Sequence, residues 1–261
     1  MRFLNPCYLR QVGRFVFSFC LIFSVSVHAQ TGSVAVAANM KDAFADIDAA
    51  FKATGKPGLK VIYGSSGNFT AQILNGAPFN LFISADEQFP LELYKQGKTQ
   101  NEGKVYAIGK LVMFTKNSSG ITLLNNRAEL ARAIAKANKV AIAKPELAPY
   151  GRAAVEYLKA EGLWDLAKDK LIYGDNIAVT TMYVATGAAD IGFSALSLVK
   201  SPELSKDVRY VLVDEKKYEP IKQRMVVLKG APPDAEQMYA FIQSPTAKAI
   251  LIQYGYSVPG N

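Results

Sequence analysis

The sequence predicts an α/β protein of two lobes, each a mainly parallel sheet flanked by helices, with a cleft between them. Three observations carry this. Short apolar, β-prone runs alternate with helical segments of about 10–15 residues, the pattern of βαβ units and parallel sheets. The strand-like runs are too many for one small sheet. Half of the residues are apolar, enough for a real core and against disorder.

Each element has a local cause. Residues 33–38 (SVAVAA) read as a buried strand running straight into Asn39. Met40, Phe44, Ile47 and Phe51 then recur at spacings of 4, 3 and 4, one face of a helix that Gly55 closes. Residues 59–63 (LKVIY) form a second strand, broken at Gly64-Ser65-Ser66-Gly67. A short helix follows with Phe69, Ile73 and Leu74 inward, stopped by Gly76. A third strand, 80–85 (NLFISA), leads to a helix through Leu91 and Tyr94. Next come a strand at 110–115, an Ala-rich helix at 127–137, a strand at 139–143, a loop at 144–150 and a helix at 151–160. A short strand at 171–173 precedes a helix opened by Asp175-Asn176, running to Thr186 and closed by Gly187. Strands at 191–195, 210–213 and 224–228 and helices at 234–243 and 246–254 complete the chain. No linker rich in Pro, Gly or Ser, no internal repeat and no low-complexity segment divides it.

Residues 1–29 read as a secretory signal peptide. Arg2, Arg10 and Arg14 stand without an acid, an apolar run covers 15–27, and Val27-His28-Ala29 gives a small-x-small cleavage signal before Gln30. The apolar run is too short to span a bilayer, and no later stretch reaches about 18 apolar residues, so the mature chain is expected to be soluble. Cys7, Cys20 and His28, the only thiols and the only imidazole, all fall in this segment. Without it the chain has no thiolate or imidazole metal site, no disulfide, no cysteine nucleophile and no Ser-His relay. Binding is therefore expected rather than transformation. The formal charge of +8 also shrinks: losing three arginines leaves 27 basic side chains against 22 acidic ones, a net +5. The charges are scattered, which argues against nucleic acid. A mild positive field suits an anionic ligand.

Four strand-to-helix turns share a composition: Ala37-Ala38-Asn39, Gly64-Ser65-Ser66-Gly67, Ala148-Pro149-Tyr150-Gly151 and Asp175-Asn176-Ile177. In an open α/β sheet such turns lie at the carboxyl ends of the strands, where ligands bind. Each presents free backbone N–H groups and the positive end of a helix, a ready anion site. Asn39 and Ser66 add side-chain donors, Tyr150 adds a hydroxyl or its own N–H, and Ile177 offers only its N–H. Taken singly, Asn39 and Ser66 read as N-caps, Tyr150 as packing and Ile177 as core. Taken together they supply donors from two lobes, and three of the four turns lack a lysine or arginine. Lys144 and Arg152 flank the third turn, and either could face solvent. Asp175, the one acid, reads as a cap. Neutral donors suit a fully ionised oxyanion, which only accepts hydrogen bonds.

At these residues the chain resembles the periplasmic molybdate-binding proteins of ABC importers, a family of type II solute-binding proteins. The matching stretches are VAANMKDAFADIDAAFKATG, YGSSGNFTAQILNGAPFNLFISADEQ, AKPELAPYGRAAVEYLKAEGLWDL, GDNIAVTTMYVATGAADIGFSALS and FIQSPTAKAILIQYGY. The resemblance implies the two-lobed type II fold and oxyanion ligands at Asn39, Ser66, Tyr150 and Ile177, with Ala38 and Ser65 alongside. Three departures stand out. Ala38-Asn39 replaces a turn that often carries Ser or Thr. Ser194-Ala195 stands where some members have a tyrosine, and Tyr150 could substitute for it. Asn80 replaces the usual Asp before LFISAD.

The expected protein thus binds molybdate or tungstate as an oxyanion between lobes of residues 30–107 with 225–261 and 108–224. It needs no cofactor and holds no free metal cation. It acts as a monomer in the periplasm and delivers its anion to a membrane ABC permease. Another oxyanion such as sulfate is the alternative ligand. An acyl-transfer enzyme built on Ser197-x-x-Lys200 lacks the Ser-Asp-Asn and Lys-Thr-Gly partners such chemistry uses. Asp214-Glu215 reads as a charged surface loop rather than a glycosidase pair.

Overall fold

The computed structural model describes residues 32–259, so the segment read as a signal peptide lies outside the described residues. The chain runs through β1 (Ser33–Ala37), a 3-10 turn (Ala38–Met40), α1 (Lys41–Lys52), β2 (Lys60–Gly64), α2 (Ser66–Leu74), β3 (Leu81–Ile83), α3 (Gln88–Lys95), β4 (Lys104–Gly109) and β5 (Leu111–Lys116). It continues through α4 (Arg127–Lys136), β6 (Val140–Ala143), α5 (Pro149–Ala160), α6 (Trp164–Ala167), β7 (Leu171–Gly174), α7 (Ile177–Ala185), β8 (Ile191–Ala195) and α8 (Leu196–Val199). The last elements are β9 (Val208–Leu212), β10 (Ile221–Val227), α9 (Pro233–Ile242) and α10 (Pro245–Gln253).

The strands form two five-stranded sheets, ordered β2-β1-β3-β10-β4 and β7-β6-β8-β5-β9. In the first, β2, β1 and β3 pair parallel, and β10 pairs antiparallel with both β3 and β4. The second repeats this plan: β7, β6 and β8 pair parallel, and β5 is antiparallel to β8 and β9. Four strands of each sheet therefore share one direction, but half of the pairings are antiparallel. The sheets are mixed where mainly parallel ones were expected. The cause lies in the connections. The reversed strand of each sheet is the one arriving from the other sheet, since β5 follows β4 after Lys110 alone and β10 follows β9. The first sheet takes in Ile108, Gly109 and residues 221–224 through β4 and β10.

Burial explains why the strands read as continuous apolar runs. Both faces of each sheet are covered, so alternation sends residues to two cores rather than to core and water. Val34 and Val36 of β1 join Leu81, Ile83, Met225 and Val227 beneath α1, where Phe44, Ile47 and Phe51 project. Ala35, Phe82 and Val226 face the opposite core with Phe69 and Leu93. In the second sheet Leu111, Met113, Ile142 and Phe193 share one core with Tyr157 and Leu158, while Val112, Phe114 and Ala141 face another with Val184. Helix starts use their own side chains: Ser65, Asn126, Asn176 and Ser244 each accept a backbone N–H at the head of α2, α4, α7 and α10.

Candidate functional site

The helix-opening turns of the two sheets converge on one cavity of about 10 Å³, on a scale where a single water needs about 10–15 Å³. From the first sheet come Ala37, Ala38 and Asn39 after β1 and Gly64, Ser65 and Ser66 after β2. From the second come Ala148, Pro149 and Tyr150 at the head of α5 and Asn176 and Ile177 at the head of α7. All six residues singled out in the sequence line this one space. Ala85 also lines it. It follows β3, so the rule of strand carboxyl ends pointed to it, but an alanine offers no side-chain donor to notice.

The local bonding decides which groups remain free for a ligand. Ser66 Oγ accepts the buried Ala85 N–H at 3.0 Å, which leaves its own proton to donate. Ser65, not Ser66, is the N-cap of α2, accepting Asn68 N–H at 3.4 Å. Asn39 caps nothing. It sits inside the 3-10 turn, and its Nδ2 donates to Gln223 Oε1 at 3.0 Å and to Tyr256 Oη at 2.8 Å. Its Oδ1 is buried without a partner. Tyr150 is 1% exposed, and its hydroxyl accepts from Gln223 Nε2 at 3.1 Å. Its N–H is among the first of α5, which have no intrahelical acceptor. Ile177 opens α7 in the same way. The N-cap there is Asn176, which accepts Val179 N–H at 3.0 Å, so Asp175 is not the cap it was expected to be.

The charges near the cavity are paired off. Lys144 Nζ lies 2.6 Å from Asp175 Oδ1, and this hydrogen bond to a carboxylate raises the lysine pKa. Arg152 Nη2 lies 2.6 Å from Asp86 Oδ2, reaching from α5 to the segment after β3 and so across the two sheets. Asp86 is held in turn by Ser84 Oγ at 3.1 Å and Phe89 N–H at 3.2 Å. No charged side chain lines the cavity. Burial pushes the Tyr150, Tyr106 and Tyr256 hydroxyls well above the ordinary tyrosine range, so they stay neutral donors.

Two other sequence features resolve differently. Ser194 lies beneath α7, within 2.6 Å of Thr181 Oγ1, and does not line the cavity. Ser197 and Lys200 do not meet as a nucleophile and base. Ser197 Oγ donates to Asn39 O at 2.8 Å, and Lys200 Nζ donates to Gln253 O at 2.7 Å.

Known proteins share this plan. The family model described as bacterial extracellular solute-binding protein matches residues 33–257. The chain is 37% identical over 247 residues to the molybdate-binding protein ModA of Azotobacter vinelandii, covering 91% of this chain and 94% of that one. It is 36% identical over 245 residues to ModA of Rhodobacter capsulatus, covering 90% and 92%. The solved structure of the Azotobacter vinelandii periplasmic molybdate-binding protein superposes with a TM-score of 0.80 at 32% identity, covering 87% of this chain and 99% of that one. A match this complete in sequence and in fold places the chain in a family: it belongs to the bacterial extracellular solute-binding proteins.

Proposed function

We propose that this protein captures molybdate or tungstate in the cavity between its lobes and hands the anion to a membrane ABC permease. The observation that carries this is the donor set. Residues at the helix starts of both sheets, with Ser66, line one space that holds no carboxylate, and Lys144 and Arg152 beside the third turn are paired with acids. A fully ionised oxyanion, which only accepts, fits such a set. A hydrogen-bearing anion would also want an acceptor. The relatives named as molybdate-binding support the choice of anion.

The donors assigned are the N–H groups of Ala38, Asn39, Ser65, Tyr150 and Ile177 and the hydroxyl of Ser66. The two lobes, one built on each sheet with the crossings at Lys110 and before Ile221, close on the anion, because only the closed state completes its hydrogen bonds. The protein works as a monomer in the periplasm after loss of residues 1–29, without catalytic turnover. Calorimetric titration with molybdate, tungstate, sulfate, phosphate and chromate tests the reading. Tight binding of the first two with weak binding of phosphate is expected. A preference for sulfate would reassign the ligand, and silence toward all five would overturn the function.

A further inference from the structure

Gln223 does not line the cavity, yet it holds two residues that do. It is fully buried on β10, where the register with β4 slips between Gln223 and Arg224. Such a bulge re-aims a side chain. Its Oε1 accepts from Asn39 Nδ2 at 3.0 Å and from Tyr106 Oη at 2.8 Å, and its Nε2 donates to Tyr150 Oη at 3.1 Å. One carboxamide therefore joins a turn of the first sheet to a helix packed on the second. The place matters. Gly109 ends β4, one residue before the chain crosses into β5, and pairs with Ile221 at the start of β10. A Cβ at Gly109 would stand 2.0 Å from Tyr150 Oη and 2.6 Å from Gln223 Nε2. Only a glycine leaves room for the tyrosine hydroxyl at this crossing.

The bonding pattern also has two senses. As it stands, the Asn39 amide gives both hydrogens to the network and leaves Oδ1 alone. Turning both carboxamides by half a rotation keeps the contacts around Gln223, at the cost that Tyr256 Oη gives up the proton it shares between Asn39 O and Ser197 Oγ. Gln223 Nε2 then donates to Asn39 Oδ1 and Tyr106 Oη, Tyr256 donates to Asn39 Oδ1, and Tyr150 donates to Gln223 Oε1. The one unpaired group becomes the Asn39 amide nitrogen, a donor instead of an acceptor. The neighbouring hydroxyls stay protonated through the neutral range, so they can take either role.

We infer that Gln223 is a positioning residue for the anion site. Seated with the Tyr150 hydroxyl against Gly109 at the crossing between lobes, it sets the sense of the Asn39 amide and the closed angle together. A fully ionised oxyanion selects the sense that offers a donor. This rests on the anion-binding reading above.

The test uses the mature wild-type chain with single and double variants, titrated with molybdate. Gly109→Ala should weaken binding at least about ten-fold, because the new methyl displaces the Tyr150 hydroxyl. Adding Tyr150→Phe removes the nearer of the two atoms in conflict and leaves Gln223 Nε2, so the losses of Gly109→Ala and Tyr150→Phe should not add. Gln223→Met should weaken binding at least about ten-fold, and Asn39→Ala on that background should cost little more. Variants within two-fold of wild type, or losses that add independently, would overturn the inference. Should a variant fail to fold, the wild type still decides. In ¹⁵N spectra the Gln223 side-chain amide signals should move with those of Asn39 as molybdate is added, and unmoved Gln223 signals overturn the inference. A wild type that binds no molybdate, by contrast, would sink the anion-binding reading itself.

Discussion

Ser66 shows how one residue can be tuned toward an anion. Its lone pair is taken by the Ala85 N–H, so its proton has no better use than to point at a ligand that only accepts. Ser66→Ala should weaken molybdate binding by roughly 1.5–3 kcal/mol, the range for a hydrogen bond to a charged group. The same change strands the Ala85 N–H in a buried place. Stability should therefore also fall, by about 1–3 kcal/mol, more than a lost helix cap alone would give. Calorimetry and denaturant unfolding of the one variant read the two effects separately. Titration is a second residue-scale matter. The described residues contain no imidazole. The buried tyrosines are displaced upward, Tyr157, Tyr218 and Tyr254 to about 12, mainly by burial. A pKa raised in the fold contributes stability that is fully present below the unfolded value near 10 and is lost as pH rises through the folded one. The melting temperature of the mature chain should hold from pH 6 to 9 and fall above about pH 10. A fall between pH 6 and 8 would contradict this.

Among elements, the head of α2 and the loop before α5 bring the two sheets into direct contact. Gly67 N–H donates to Leu147 O at 2.9 Å, and a Cβ at Gly67 would come within 2.9 Å of Leu147 Cα. Gly67→Ala should therefore prop the lobes apart. The expected result is a clear loss of molybdate affinity with a ligand-free melting temperature near that of wild type, since helix α2 itself gains from alanine. Equal losses in both would mean that Gly67 serves the fold and not closure. The Arg152–Asp86 pair is a partly exposed bridge of the same kind, so Arg152→Gln should raise the dissociation rate of molybdate a few-fold in stopped-flow and no more. The helix-start turns were legible in the sequence because the apolar period changes there from strand to helix, and the change marks a strand's carboxyl end. Strand β4 was not. KVYAIG runs straight into KLVMFT with no residue between, and no turn signal says that one continuous strand leaves one sheet for another. Nor was the network around Gln223, whose partners Asn39 and Tyr106 lie 184 and 117 residues away along the chain. No local period encodes such a meeting, which ties the side chain of Asn39, a residue lining the cavity, to the crossing between the sheets.

For the whole molecule, the question is what kind of electrostatics holds a doubly charged ion. The described chain is basic on balance, but its cations near the cavity are engaged with carboxylates, and the cavity is lined by neutral groups from both sheets. Attraction must then come from helix-start dipoles and hydroxyls that act over a few ångströms inside a closed space. Screening acts over about 10 Å at 0.1 M salt and about 3 Å at 1 M, and works through solvent that a closed cleft excludes. Raising inert chloride salt tenfold should therefore change the molybdate dissociation constant only within a few-fold, whereas a site resting on Lys144 and Arg152 at an open surface would lose most of its affinity. Association should slow more than dissociation speeds, because the long-range field guides only the approach of the anion. Binding to the folded state alone should add about 2.7 kcal/mol of stability at a hundredfold excess of molybdate over its dissociation constant. For a domain of this size that is a rise of roughly 5–10 °C in melting temperature, at about 2–4 °C per kcal/mol. A steep salt dependence together with a missing thermal shift would mean that the anion is held at the surface, and the closed cavity would lose its role.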